Sequence, residues 1–354
     1  MLMGSANWMF QTDLPNDIIS NSLKFEDGDS PVLTRTPSSD GNKRTWTWSC
    51  WFKMANIIDT SGNVESTLMS VDNSASGKYT ILGWYQDSLY AQLAGSGQVT
   101  AQYGGPAKVR DTTNWYHVVW AVDTTQSTSG NRSKVYLNGT QLSFTTDNAF
   151  PQNTDTDVND TNYAMEIGDT TDYARHFDGY MADINFVDGQ ALTPTSFGRS
   201  VGGVWLPKDT SGLTFGTNGY RLQFKQTGTG TASASTIGAD TSGNTNHFTT
   251  SNLASTDVVT DTPENNFATM NPLHKGADAI TFTEGNLKSS FTSDVDDTHH
   301  GCTFALPKEG RWYWEQTFTG ANTGGSQAPY CGIYDSDTLA LGISDNFINS
   351  SGDF

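Results

Sequence analysis

The chain has 354 residues, 35% of them hydrophobic and 12% aromatic, but only 16% charged. That length exceeds one core of ordinary size, and the apolar content excludes wholesale disorder. The formal charge is −19 with no basic run anywhere, which argues against a nucleic-acid partner, because phosphate backbones attract stripes of Lys and Arg.

No apolar stretch is long enough to span a bilayer, so no membrane insertion is expected. The start, Met1 to Phe10, lacks the basic region and long apolar run of a secretory signal. Cys50, Cys302 and Cys331 are too widely spaced for a metal motif or a disulfide framework. Cys50 lies inside a strand pattern and reads as a small buried hydrophobe. Abundant Gly, Ser, Thr, Asn and Asp favour turns and short strands over helices, so an all-β chain is expected.

Residues 1–20 have no strong period and read as an extension, broken at Leu14-Pro15-Asn16-Asp17. Ser22–Glu26 is a first strand. In Thr45–Met54 the residues Trp46, Trp48, Cys50, Phe52 and Met54 share one face, with Thr45, Thr47, Ser49 and Lys53 on the other. Period-2 alternation of this kind predicts a half-buried strand, since successive side chains point to opposite sides. Thr67–Val71, Tyr79–Tyr85 and Leu89–Leu93 follow as strands. Trp115–Val122 is apolar on both faces, as a central strand would be. Lys134–Leu137 runs through Asn138-Gly139 into Gln141-Leu142, and Asn-Gly supplies the positive φ pair of a type I′ hairpin. Ala164–Ile167 and Gly179–Val187 complete a unit spanning 21–200. Many short strands separated by turn signals predict a sandwich or barrel.

Residues 201–275 have a different texture and read as a connector, with a strand-like Tyr220–Phe224 and a Gly/Thr/Ser-rich run. Asp-Thr-Ser-Gly recurs at 59–62, 209–212 and 240–243, irregular spacing that marks a reused turn and not a repeat. A second β unit is expected over 276–354, with strands at Thr281–Thr283, Thr303–Leu306 and Gly310–Phe318.

The motifs Ser22-Leu23-Lys24-Phe25, Trp46–Phe52, Asn114–Val119, Val135–Gly139, Ile167-Gly168 and Phe177–Ile184 occur in this order. Together they resemble the laminin-G-like branch of the concanavalin A-like lectin/glucanase superfamily over about residues 20–200. The resemblance implies a jelly-roll β-sandwich. Gly310-Arg311-Trp312-Tyr313-Trp314-Glu315 and Cys331-Gly332-Ile333 resemble the start of a SPRY domain, which implies a second, partial β-sandwich. The whole arrangement, through Gly203–Pro207, Asp261-Thr262-Pro263 and Phe267–Leu273, resembles proteins of tailed bacteriophages. That likeness implies a homo-oligomeric virion component, a fibre or other appendage assembled in the host cytoplasm, with residues before the first domain docking onto other virion proteins. The rival classes are a bacterial surface adhesin and a glycan depolymerase.

Glucanases of this superfamily carry paired carboxylates on one strand, as E-x-D-x-x-E, and no such strand is present. Glu166 and Asp169 are three apart, and Glu315 has no acidic partner at i±2 or i±4. Catalysis is therefore not expected, nor is a cofactor. Asp155, Asp157, Asn159 and Glu166 have part of a calcium-loop spacing, but Asp160 stands where the sharp turn needs Gly. Asp294–His300 gathers ligand types without a second pair nearby. For binding a host-surface glycan, the candidates are Trp84, Tyr85, Tyr103 and Tyr173, aromatic rings near strand ends or loops. Trp46, Trp48, Trp115 and Trp120 are assigned to the core.

Overall fold

A computed structural model describes residues 18–56, 64–73, 78–85, 88–103, 108–144, 146–170, 174–275, 280–291, 300–305, 311 and 313–317. The strands, in chain order, are β1 (Ser22–Phe25), β2 (Val32–Arg35), β3 (Thr45–Met54), β4 (Val64–Asn73), β5 (Lys78–Tyr85), β6 (Ser88–Gly95) and β7 (Gln98–Tyr103). Then come β8 (Tyr116–Asp123), β9 (Ser133–Leu137), β10 (Thr140–Gln141), β11 (Thr146–Asp147), β12 (Met165–Ile167) and β13 (Gly179–Asp188). The rest are β14 (Gly198–Val201), β15 (Val204–Pro207), β16 (Tyr220–Leu222), β17 (Thr249–Ser251), β18 (Val258–Val259), β19 (Met270–Lys275), β20 (Ile280–Thr283), β21 (Lys288–Phe291) and β22 (His300–Cys302).

Two 8-stranded antiparallel sheets make the sandwich. The first runs β10-β9-β8-β3-β13-β1-β18, with β16 also on β13; the second runs β11-β7-β6-β5-β4-β12-β2-β17. The expected jelly-roll architecture is therefore present. Its core is the layer between the sheets, where Trp46, Trp48, Phe52, Trp84 and Trp120 are all fully buried. Trp46 meets Trp120 edge-to-face at 5.1 Å between ring centroids, an arrangement that matches ring quadrupoles. Cys50 lies in the same layer, and burial pushes its thiol well up.

The hairpin joining β9 to β10 forms as its turn residues require, with φ of 47° at Asn138 and 80° at Gly139. The recurrent Asp-Thr-Ser-Gly turn also has a physical basis. Asp209 accepts the Ser211 N–H at 2.9 Å and Asp240 accepts the Ser242 N–H at 2.8 Å, an aspartate closing the turn two residues on. The copy at 59–62 lies outside the described residues.

Two features depart from expectation. The polar face of β3 is not open to water: Thr47, Ser49 and Lys53 are all buried. Thr47 donates to the Gln190 carbonyl at 2.7 Å and accepts from the Leu192 N–H at 2.7 Å. Lys53 Nζ reaches Asp261 Oδ2 at 3.0 Å, Asn266 Oδ1 at 2.8 Å and the Phe267 carbonyl at 2.9 Å. An alternating pattern that suits a half-exposed strand suits a fully covered one equally well when every polar group finds a partner. The other departure concerns the expected connector 201–275, whose strands β16, β17 and β18 join the two sheets of the sandwich.

Beyond β18 two small hairpin-like pairs follow, β19 with β22 and β20 with β21. The turn before β21 sits against the sandwich: Tyr180 Oη donates to the Gly285 carbonyl at 2.6 Å, and Lys24 pairs with Glu284 and with Asp257. Thr303 and Phe304 are not in a strand, and the aromatic run 310–318 is described only at Arg311 and 313–317, outside any strand.

Candidate functional site

On the outward face of the second sheet, half-buried Tyr79, Tyr85 and Arg175 lie beside buried Ile81, Tyr90 and Gln92. In β5 the core takes Leu82 and Trp84, so Tyr79, Ile81, Gly83 and Tyr85 face the other way. In β6 the core takes Leu89, Ala91 and Leu93, which turns Ser88, Tyr90 and Gln92 to that same outward face. Register then sets neighbours: Tyr90 lies opposite Gly83, Gln92 opposite Ile81, and Ser88 opposite Tyr85. Gly83 is required here by close backbone approach, since a Cβ would collide with the Ser66 carbonyl oxygen. The Tyr85 and Tyr90 rings stand 5.9 Å apart.

Hydrogen bonds hold the polar members in place. Tyr90 donates its hydroxyl to Gln92 Oε1, and Gln92 Nε2 donates to the Tyr79 carbonyl at 2.8 Å. Arg175 lays its guanidinium over the Tyr79 ring, 5.1 Å from the centroid, a cation–π contact. Nearby, His176 pairs with Asp169 at 2.9 Å, and burial raises the Asp169 carboxyl despite that partner. The face thus combines tyrosine rings, a fixed planar amide and a guanidinium. Where such groups are exposed, tyrosine rings can stack on the C–H faces of a sugar ring and a guanidinium can hydrogen-bond its hydroxyls. The residues that β5 and β6 turn outward include no carboxylate, so those strands offer hydrolysis no acid–base pair.

Of the four expected ligand residues, Tyr85 is half-buried on this face. Trp84 is a correction: it is fully buried, stacked on Phe177 at 6.0 Å and edge-on to Phe52 at 5.4 Å, with no ring face left for a ligand. Adjacent strand residues point oppositely, so Trp84 and Tyr85 cannot serve one surface. Tyr103 lies in β7, its side chain outside the described set, and Tyr173 lies outside the described residues altogether. Tyr79, Tyr90, Gln92 and Arg175 were missed. Tyr79 was legible at period 2 from Tyr85 along β5, and Tyr90 and Gln92 alternate along β6; Arg175 comes from a distant segment.

The acidic loop does not gather its carboxylates. Arg44 pairs with Asp155 at 2.5 Å, and Lys43 pairs with Asp160 at 2.6 Å. Asn159 donates to the Asn42 carbonyl and to Asp188 Oδ1, each at 3.0 Å. Two of the loop's carboxylates are thus neutralised by two cations of the β2–β3 loop. Of the second cluster, 294–299 lie outside the described residues, and His300 meets Ser289 Oγ at 3.0 Å. Among the described residues, the one group of three such side chains with mutually close ligand atoms is Glu26, Asp27 and Asp178. Burial, with Asp27 and Glu26 beside it, lifts the Asp178 carboxyl to about 8.

A family model described as the concanavalin A-like lectin/glucanases superfamily matches residues 26–196, just under half of the chain. That stretch is similar to the lectin-like domains of this superfamily. No curated protein matches the chain. Among solved structures, similarity extends to a Bacteroides ovatus protein provisionally described as carbohydrate-binding, at 16% identity and a TM-score of 0.44. The match covers 68% of this chain and 60% of that protein, so the chain spans less than two thirds of its length. A heptameric pentraxin from Limulus polyphemus matches at 17% identity and a TM-score of 0.34, over 51% of this chain and 80% of that one. Domains LG4-5 of the mouse laminin alpha1 chain match at 11% identity and a TM-score of 0.35, over 50% and 44% respectively.

Proposed function

We propose that this protein is a non-enzymatic component of a bacteriophage particle, a tail fibre, spike or other appendage, that recognises a host-surface glycan. The observation that carries the glycan reading is the outward face of β5 and β6, where half-buried Tyr79, Tyr85 and Arg175 are held against buried Tyr90 and Gln92 on a lectin-like sandwich. The virion reading rests on the module order of the sequence, which resembles tailed-phage proteins. On this reading the protein is homo-oligomeric, reaches the virion by assembly in the host cytoplasm, and docks on other virion proteins through residues 1–20. Of that extension only 18–20 are described: Glu264 accepts both the Ile18 and Ile19 N–H groups at 2.8 Å, which roots the segment on the sandwich.

Binding of purified protein to host cells and to an array of host-surface polysaccharides tests the glycan reading. Tyr79→Ala with Tyr85→Ala should lower binding at least tenfold while leaving the folding transition in place. Unchanged binding would overturn the site, and release of reducing ends from the polysaccharide would overturn the non-enzymatic reading. Immuno-electron microscopy of particles tests the virion reading, and labelling confined to bacterial surfaces would replace it with an adhesin.

A further inference from the structure

A second cavity lies away from the tyrosine face, at the seam where the edges of the two sheets meet. The β9–β10 hairpin is regular as far as Leu142, whose N–H still bonds the Val135 carbonyl at 2.9 Å. The chain must then leave the first sheet, because Thr146 and Asp147 pair with Tyr103 and Gln102 of β7 in the second. Where residues 142–144 cross over, β9 and β7 have no backbone ladder between them and are tied by the side chain of Gln102 to Ser133. The result is a groove of about 280 Å³.

Its lining includes Gln102, Ser133, Lys134, Gln141, Ser143 and Phe144. The first two are held from below by a relay. The Trp120 indole N–H donates to Ser133 Oγ at 2.9 Å, and that hydroxyl donates to Gln102 Oε1 at 2.7 Å. The Gln102 amide is thereby oriented before any ligand arrives, which removes part of the ordering cost of binding. The same Gln102–Ser133 pair borders a further space of only about 10 Å³, room for no more than a water. Gln141 and Ser143 are exposed, and Phe144 packs on the core and closes the groove with an apolar wall.

We propose that this groove is a second binding site, taking a single sugar ring or a polyol of similar size. The volume falls at the lower edge of the roughly 300–1,000 Å³ usual for small-molecule sites, which suits one ring and not a chain. Amides and hydroxyls beside one aromatic wall match a ligand with hydroxyls on its rim and C–H groups on its face. Lys134 is the one ionisable lining residue and no carboxylate joins it, so acidic sugars meet no repulsion. The site shares no residue with the tyrosine face and stands independently of it.

The indole N–H of Trp120 is a built-in reporter, since it bonds the groove floor. In a ¹H–¹⁵N spectrum of the full chain, titration with a panel of hexoses, hexosamines, uronic acids and glycerol should move that resonance. Saturation at millimolar concentration is expected for a ligand of so few atoms. Ser143→Trp, which fills the groove from an exposed position, should abolish the shift, and Gln141→Ala should weaken it severalfold. Tyr79→Ala with Tyr85→Ala should leave it unchanged, so failure of the groove and failure of the tyrosine face are read separately. A Trp120 resonance that no panel member moves, or that moves equally in Ser143→Trp, would overturn the proposal.

Discussion

Lys53 is the sharpest probe of how the chain beyond residue 200 joins the sandwich. Its side chain is 1% exposed and that of Asp261 is 5% exposed, so both charges are out of water. Burial pushes the Lys53 ammonium down, and Asp261 opposes the shift. Asp261 also accepts the Trp115 indole N–H at 2.9 Å, and its carbonyl accepts the Ser22 hydroxyl at 2.6 Å. Asp261→Ala therefore strands a buried ammonium, which costs about 3–5 kcal/mol, and leaves an indole N–H without its acceptor, about 1–3 kcal/mol more. The two losses share one network and do not add fully, so about 4–5 kcal/mol is expected. Lys53→Met with Asp261→Asn removes both charges and should recover most of it, because a buried ion pair replaced by neutral groups of similar volume is often neutral in stability. Urea unfolding at pH 7, followed by tryptophan fluorescence, measures each value. A loss below about 1 kcal/mol for Asp261→Ala would refute the assignment of residues 261–267 as a strap anchored on β3 through Asp261.

Two titrating groups, the buried His117 and the half-buried Asp178, give the stability curve opposite slopes. His117 is neutral between Trp51 and Trp205, accepts the Trp205 indole N–H at 3.0 Å, and is pushed by burial down to about 3. A depressed histidine costs stability as pH falls from about 6.5 toward that value, since only the unfolded chain then takes the proton. Asp178, lifted to about 8, acts in reverse and costs stability as pH rises from about 4 to 8. Above pH 6.5 only the second slope of this pair remains, so stability should fall by about 1.4 kcal/mol per unit up to pH 8. Asp178→Asn should remove that fall and expose the His117 slope on the acid side. A calcium-induced rise in melting temperature that Asp178→Asn abolishes would instead mean an ionised, cation-paired carboxylate. Gly139→Val should destabilise by at least about 2 kcal/mol. A side chain there must adopt φ of 80°, and its Cβ would come within 2.7 Å of the Trp205 ring. Thermal melting checks this, and a change within 0.5 kcal/mol would contradict the turn geometry.

Legibility followed the range of the forces involved. Thr45–Met54 and Gly179–Val187 announce themselves because alternation and apolar content are local properties of the chain. The Asn-Gly hairpin and the Asp-Thr-Ser-Gly turn were readable for the same reason, since each is closed by its own residues. β17 and β18 carry no such mark. Thr249–Ser251 and Val258–Val259 are too short to have a period and become strands only because β2 and β1 offer them edges.

The candidate sites divide likewise. Tyr85 could be picked out as an aromatic near a strand end, but its neighbour Trp84 could not be sorted from it until the sheet assigned each a face. Arg175 reaches Tyr79 across 96 positions, and Gln102 meets Ser133 across 31. Composition, alternation and turn chemistry determine from the sequence alone that this chain is all-β, with a tryptophan core between stacked sheets. Which polar side chains are roofed over, which carboxylates find a cation, and where two sheet edges part to leave a groove were decided by tertiary structure. Those outcomes depend on pairings between distant segments, and the free energy of each pairing exists only once the sheets have brought the partners together.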